Sequence, residues 1–187
     1  KAGLRAKNLV SQMLAFSRRQ VLEMKDLDLN DVIADLMKMI RRVIGEHVTL
    51  NAIAGPDLGI IRADQGQIEQ ILMNLCVNAK DALGQNGGDI LMSSRNVTVK
   101  ENQEAMHTDA KPGDYLCLTV EDNGSGMPEE VQAKIFEPFF TTKEVGKGTG
   151  LGLAISHRIV TDHGGSIRVC NRDDRGAKFT VELPALL

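Results

Sequence analysis

The chain has 187 residues, which is the size of one domain and enough to bury a substantial core. Charged residues make up 25% of it and the formal net charge is −3, so a nucleic-acid-binding surface is not favoured. Its three cysteines follow no zinc-binding spacing, which predicts reduced thiols in a cytoplasmic protein. No stretch approaches 18 apolar residues, so we expect no membrane contact by this fragment, and an anchor upstream of Lys1 is left open.

Apolar periodicity and turn residues predict alternating helices and strands. Residues 1–24 are predicted as one amphipathic helix, residues 25–30 as a polar linker, and residues 30–44 as a helix with Asn30 as its N-cap. The later elements are predicted as strands at 48–52 and 59–62, a helix at 65–83, strands at 90–99 and 115–121, helices at 129–135 and 151–162, and a hairpin of strands 166–170 and 178–183. A polar loop is expected at 101–114. This order predicts an α/β fold, a two-layer sandwich with helices on one face of a mostly antiparallel sheet.

Two asparagines, Asn74 and Asn78, lie four residues apart in the predicted helix 65–83 and therefore on one face. Asparagine is unfavourable inside a helix, so a pair on one face of an otherwise apolar helix indicates a functional role rather than exposed or capping side chains. Asp81 lies about 60° from Asn78 around the helix axis, close enough to share the same site.

Two further patches are a turn and an aromatic segment. Asp122 ends an apolar strand and is followed by Asn-Gly-Ser-Gly, in which Gly124 and Gly126 allow a close backbone approach. Alone, such a sequence is more often a simple turn. Residues 136–143 read Phe-Glu-Pro-Phe-Phe-Thr-Thr-Lys and open a segment rich in Gly and Thr, which is interpreted as a lid.

Glycines alternate at positions 146, 148, 150 and 152, immediately before the predicted helix 151–162. Their exposed N–H groups and the helix N-terminus favour an anionic phosphate group. The run is not a P-loop, because Lys147 is followed by Gly148 where Ser or Thr is needed. Its spacing also differs from the dinucleotide-binding fingerprint.

In this order, the four patches resemble the N, G1, F and G2 boxes of sensor histidine kinase catalytic domains, in the gyrase–Hsp90–histidine kinase–MutL superfamily. The resemblance covers about residues 27–187 and implies a Bergerat ATP-binding fold that binds ATP with Mg²⁺. It implies transfer of the γ-phosphoryl group to a histidine on a dimerisation helix, and onward transfer to an aspartate of a response-regulator receiver domain. The partners implied are therefore that receiver domain and the protein's own dimerisation domain in a homodimer.

The resemblance also divides the chain. Residues 9–20 look like part of the second helix of a dimerisation hairpin, so residues 1–24 are assigned to that hairpin and residues 25–187 to the catalytic domain. A helix that packs on its own domain is the alternative for this segment.

The resemblance assigns roles to single residues. Asn74 and Asn78 are implied as catalytic and nucleotide-binding residues, with Asn78 as the Mg²⁺ ligand. Asp81 is implied as a nucleotide-binding residue that contacts the metal's waters. Asp122 is implied to accept a hydrogen bond from the amino group of adenine, with Met127 against the ring and Thr180 in contact through water. The remaining nucleotide-binding residues implied are Gly124, Gly126, Phe136, Thr142, Lys143, Lys147, Gly148, Thr149, Gly150, Leu151 and Gly152. For Lys143 and Lys147, phosphate contact and simple solvation are equally compatible with the sequence, and the aromatic side chains of 136–140 are expected to pack under the lid.

The phosphoacceptor histidine of this family is usually followed by an acidic residue. The four histidines here are followed by Val48, Thr108, Arg158 and Gly164, so none fits, and we expect the acceptor helix to be missing and self-phosphorylation to fail.

Two other functions stay open at this point. One is an ATPase of the gyrase or Hsp90 kind, which places a water-activating glutamate where this chain has Asn74; an amide cannot take a proton at neutral pH. The other is a non-catalytic module that uses a nucleotide only to switch the docking of a partner.

Overall fold

The computed structural model describes residues 22–100, 112–144 and 148–186. The predicted helix over residues 1–24 lies outside these residues except for its last three positions, and most of the predicted loop 101–114 also lies outside them. In chain order the elements are β1 (Met24–Asp28), α1 (Leu29–Ile44), β2 (Val48–Ile53), β3 (Ile60–Asp64), α2 (Gln65–Leu83), a 3₁₀ turn (Gly84–Asn86), β4 (Gly88–Val99), β5 (Gly113–Asp122), α3 (Glu129–Gln132), α4 (Gly152–Asp162), β6 (Ser166–Asn171) and β7 (Ala177–Leu186).

The first described element corrects the sequence prediction. Residues 25–30 are not a linker, because Met24–Asp28 forms strand β1, antiparallel to β3. The N-cap of α1 is Asp28 rather than Asn30, and its side chain accepts a hydrogen bond from the Asn30 N–H at 2.8 Å. Only Leu27 of β1 is buried, so the strand lacks the apolar alternation that would identify it from sequence.

The strands form one sheet in the order β1-β3-β7-β5-β4-β2, with β6 also paired to β7. Strands β2 and β4 run parallel, and the other pairs of described strands are antiparallel. The predicted hairpin of β6 and β7 is confirmed, with Asn171 opposite Ala177. Strand β5 lies between β4 and β7, which puts its end at Asp122 in the middle of the sheet.

The two faces of the sheet differ in chemistry. Along β5, Leu116, Leu118 and Val120 belong to the apolar core, which also includes residues of α1, α2 and α4. The alternate residues lie on the opposite face. That face is mixed, because it carries the buried Tyr115 and Cys117 as well as Thr119, whose Oγ1 lies 2.6 Å from Ser93 Oγ. The α/β sandwich with helices on one face of the sheet is therefore confirmed.

The helices have the faces that the sequence predicts. The core face of α1 is buried at Val32, Ile33, Leu36, Ile40 and Ile44, with Met37 half-buried beside them. Helix α2 has the predicted bounds, with Asp64 as its N-cap and Gly84 at its C-cap. None of the described helices is both long enough and apolar enough to cross a membrane.

Candidate nucleotide-binding site

The amide of Asn74 joins α2 to the beginning of α4. Its Nδ2 donates to the Gly152 carbonyl at 3.0 Å and to Ser156 Oγ at 3.1 Å. A carbonyl oxygen can only accept, so the amide nitrogen faces α4 and Oδ1 remains available to the site. Ser156 is fully buried and also donates to the Gly152 carbonyl at 3.1 Å. Sequence reasoning missed Ser156, because one serine in an apolar helix carries no distinguishing pattern.

One turn further along α2, a lysine meets two side-chain oxygens. Lys143 Nζ donates to Asn78 Oδ1 at 3.1 Å and forms an ion pair with Asp81 Oδ2. The ion pair is partly open to solvent, with the Lys143 side chain 34% and the Asp81 side chain 43% exposed. The structure therefore brings three of the predicted site residues, Asn78, Asp81 and Lys143, into direct contact.

These oxygens have the chemistry of a site for a hard cation. Mg²⁺ takes oxygen ligands from one or two side chains, and its other ligands are waters and phosphate oxygens. Asn78 Oδ1 and Asp81 Oδ2 already converge on one positive charge, the ammonium group of Lys143. Within the described ranges, no three His, Cys, Asp or Glu side chains come together as a metal site of their own. A metal bound here would take its remaining oxygen ligands from water or from a bound phosphate group.

The carboxylate of Asp122 lies at the end of β5 and is almost completely buried, with 2% of the residue exposed. Its Oδ1 accepts hydrogen bonds from the N–H groups of Gly124 at 2.8 Å and Ala177 at 3.4 Å. Burial raises the pKa of Asp122, while these N–H groups and the nearby Arg172 act in the opposite direction. With Oδ1 held by the backbone, Oδ2 is the oxygen that the amino group of a base could approach.

The turn after Asp122 is shaped by close backbone contacts. A Cβ on Gly124 would lie 2.8 Å from the backbone of Ala82 in α2, so the turn packs directly on that helix. Gly126 has φ +69°. The next residue, Met127, is held through its backbone, whose N–H donates to Asn171 Oδ1 at 2.9 Å and whose carbonyl accepts from Asn171 Nδ2 at 2.8 Å.

The β6–β7 turn supports this site in a way that the sequence did not reveal. Arg175 Nε donates to the Gly124 carbonyl at 3.0 Å, and Asn171 holds Met127 as described above. Sequence reasoning placed residues 171–176 only in a hairpin turn. Their contacts join parts of the chain more than 40 residues apart, and no local pattern identifies such pairs.

The aromatic segment is only partly packed as predicted. Phe136 and Phe140 pack against the core, and the Phe136 ring lies 5.3 Å from the ring of His157. The expectation is wrong for Phe139, which is 60% exposed and has φ +68°. Its N–H donates to the Gly150 carbonyl at 2.9 Å, and a Cβ on Gly150 would lie 2.4 Å from the Phe139 backbone. This tight backbone crossing turns the Phe139 side chain outward.

The glycine-rich run is described from Gly148 onward, and Lys147 lies outside the described residues. A Cβ on Gly148 would lie 2.5 Å from Thr141 Oγ1 and 3.2 Å from the side chain of Lys143. Thr149 Oγ1 accepts from the Leu151 N–H at 3.4 Å, and the Leu151 side chain is buried in the core. Thr142 is exposed. The run thus packs against the segment that carries Lys143.

Thr180 is not part of the site. It lies opposite Thr119 in the sheet, and both are on the face that is turned away from the main core. Asp122 is in phase with the core residues Leu118 and Val120, so its side chain lies on the opposite face from Thr180. The residue of β7 that reaches Asp122 is Ala177, through its backbone N–H.

Comparisons with known proteins identify the family of this chain. The sequence pattern of the family described as "Histidine kinase-, DNA gyrase B-, and HSP90-like ATPase" matches residues 63–187. The sensor kinase CckA of Brucella abortus is 46% identical over 98% of this chain, which spans only 19% of that protein.

Solved structures of histidine kinases share the fold. The catalytic domain of ThkA is 31% identical with a TM-score of 0.69, and the match covers 88% of this chain and 97% of that one. A structure of ThkA with the response regulator TrrA gives a TM-score of 0.75 at 30% identity, covering 97% of this chain and 48% of that one. Full-length ShkA with AMPPNP gives 0.72 at 25% identity, covering 95% of this chain and 35% of that one.

The family pattern covers both asparagines of α2, the turn after Asp122 and the glycine-rich run. The ThkA match extends over nearly a whole catalytic domain. This chain therefore belongs to the histidine kinase-, DNA gyrase B- and HSP90-like ATPase family, and within it to the ATP-binding catalytic domains of sensor histidine kinases.

Proposed function

We propose that this chain binds ATP with Mg²⁺ and presents the γ-phosphoryl group of ATP to a histidine on a dimerisation helix of the parent protein. The observation that carries the proposal is the convergence of Asn78, Asp81 and Lys143 beside the start of α4. It combines oxygen ligands for a metal, a positive charge for phosphate and a helix N-terminus in one place. The family and the CckA, ThkA and ShkA matches support the same function.

Each group has a role in this proposal. Phosphoryl transfer needs the phosphate chain to be positioned and its charge neutralised. Asn78 would hold Mg²⁺ with support from Asp81, and the ion would supply charge neutralisation between the phosphates. The N–H groups of residues 148–152 would bind phosphate oxygens. Asp122 would accept a hydrogen bond from the adenine amino group, and the backbone-held Met127 would pack against the ring.

Asn74 favours phosphoryl transfer to a protein over ATP hydrolysis. An amide cannot act as a general base, and its nitrogen is already committed to Gly152 and Ser156. Asp81 is the acid nearest to Asn78 along α2, and it is paired with Lys143. The activation of water at this site should therefore be poor.

The wider organisation is part of the same proposal. We infer that residues before β1 belong to the second helix of a dimerisation hairpin, that the parent protein is a homodimer, and that a response-regulator receiver domain accepts the phosphoryl group. The complex of ThkA with TrrA supports this last partner. A cytoplasmic location would suit an ATP-dependent kinase, and Cys76, Cys117 and Cys170 are free thiols.

The proposal is tested by calorimetric titration of this chain with ATP and Mg²⁺, followed by measurement of phosphate release in the same sample. We expect saturable binding without sustained release. ADP and GDP provide the matched comparison, because they differ only in the base. If Asp122 selects adenine, GDP should bind at least about 100-fold more weakly than ADP. Brisk linear release would favour the ATPase function instead. No binding of either adenine nucleotide would contradict the proposal.

A further inference from the structure

The ammonium group of Lys143 lies where a cation would be coordinated. It donates to Asn78 Oδ1 at 3.1 Å and contacts Asp81 Oδ2, and these two oxygens come from residues three positions apart on α2. The aliphatic part of the Lys143 side chain lies close to the backbone of Gly148. A Cβ added to Gly148 would lie 3.2 Å from both Cβ and Cδ of Lys143. The lysine is thus directed toward α2 by the glycine-rich run behind it.

A metal ion and this ammonium group cannot both occupy the position. Mg²⁺ binds oxygen ligands at about 2.0–2.1 Å, so an ion held by both Asn78 Oδ1 and Asp81 Oδ2 would need the space between these oxygens that Lys143 Nζ now fills. Two positive charges a few ångströms apart also repel each other strongly at a site partly shielded from water.

We propose that Lys143 competes with the metal ion for Asn78 and Asp81, so that it acts as a built-in counter-ion in the nucleotide-free protein. When the metal arrives with its nucleotide, Lys143 leaves these oxygens and its charge becomes available to the phosphate chain. The contact also links the segment of residues 139–144 to α2. This link is present while Lys143 holds the two oxygens and is lost when a metal ion takes its place. This inference rests on the proposed function and adds to it a specific regulation of the same site.

The partial exposure of the ion pair makes this exchange possible. Ion pairs open to solvent contribute little net stability, because water screens them and the side chains lose freedom. The contact can therefore order the segment and still be displaced by a divalent ion. A fully buried pair would resist that displacement.

The first experiment measures amide hydrogen exchange of residues 139–144 in the nucleotide-free chain. Lys143→Met and Asp81→Asn should each speed exchange there by about two- to five-fold, and the double variant should show no further increase. Lys134→Met provides the matched control, because Lys134 is exposed and lies two residues after the end of α3. Unchanged exchange in Lys143→Met would overturn the inference.

The second experiment uses Mn²⁺ alone, followed by the electron paramagnetic resonance signal of the free ion. Lys143→Met should bind Mn²⁺ about three- to ten-fold more tightly than the unsubstituted chain, whereas Lys134→Met should not differ from it. Equal or weaker Mn²⁺ binding by Lys143→Met would contradict the competition. Both readouts are made without nucleotide, so they can fail while ATP still binds, and the two proposals are tested separately.

Discussion

At the scale of single residues, Asp122 shows how a binding group costs stability. Burial raises the pKa of its carboxyl, so the folded chain holds a proton there more tightly than the unfolded chain does. Its contribution to the free energy of unfolding is therefore complete below the unfolded pKa and is lost as pH rises through the folded pKa. At neutral pH the buried charge is a net cost, which the hydrogen bonds from Gly124 and Ala177 reduce.

Asp122→Asn should therefore separate binding from stability. The amide oxygen can still accept from the two backbone N–H groups, and the buried charge is removed. We expect the melting temperature at pH 7 to be unchanged or up to about 3 °C higher. ATP affinity should fall at least about 100-fold, because an amide nitrogen turned toward adenine would face its amino group. Calorimetry and thermal unfolding measure the two effects, and a large loss of stability would contradict this account. Because the pKa of Asp122 is raised, lowering the pH toward 4 protonates the buried carboxylate of the unsubstituted chain. The difference in melting temperature between the two proteins should therefore be smaller near pH 4 than at pH 7.

At the scale of elements, His163 connects the ends of two helices. Its Nε2 accepts from the Asp64 N–H at 3.1 Å, at the N-cap of α2, and its Nδ1 lies 2.8 Å from the Ile159 carbonyl in the last turn of α4. A carbonyl only accepts, so the ring carries its proton on Nδ1. One side chain thus fixes the relative position of the helix that bears Asn78 and the helix that begins at Gly152.

His163→Ala should remove both bonds and lower the free energy of unfolding by about 1–3 kcal/mol. It should also weaken ATP binding modestly, because the start of α4 would be less well positioned against α2. His47→Ala is the control, since His47 is exposed, and it should change stability by less than about 0.5 kcal/mol. Urea unfolding of both variants measures the difference. Equal effects of the two substitutions would show that the Asp64 contact contributes nothing.

The elements also show how far local patterns reach. The sequence predicts the bounds of α2 from its apolar periodicity and from Gly84. It predicts the buried faces of α1 and α4 from the apolar periodicity of those two helices. Strand β1 could not be found in this way, because it has one buried apolar side chain and is held mainly by its backbone pairing with β3. Thr180 was misplaced because the phase of β7 relative to Asp122 depends on the register between strands.

At the scale of the whole molecule, the first strand of the sheet includes residues on both sides of the predicted domain boundary. Strand β1 pairs with β3 from Met24 to Asp28, and Asp28 then caps α1. A boundary at residue 25 would divide this strand. We infer that the unit that folds by itself begins at about residue 22, although the sequence alone predicted the end of a helix there and a linker at residues 25–30.

Two shortened chains test this boundary. A chain of residues 22–187 should unfold cooperatively, with a melting temperature within about 3 °C of the full chain. A chain of residues 29–187 loses β1, the buried Leu27 and the Asp28 cap, and should lose at least about 3 kcal/mol of stability. Thermal unfolding with ATP and without it measures both. If the shorter chain were as stable as the longer one, β1 would not belong to the domain.

The sequence by itself determined the fold class, the family and the residue types of the site, because periodicity and the four ordered patches are properties of local chain segments. It identified Asn74, Asn78 and Asp81 as one group, since their spacing fixes them on one helix face. Only the tertiary structure decided that Lys143, rather than solvent, contacts this face of α2. It also decided that the Phe139 side chain points outward. The support that Asn171 and Arg175 give to the turn after Asp122 is likewise visible only in the tertiary structure. The physical reason is that these contacts depend on strand register and on backbone crossings between distant segments, which no local pattern encodes.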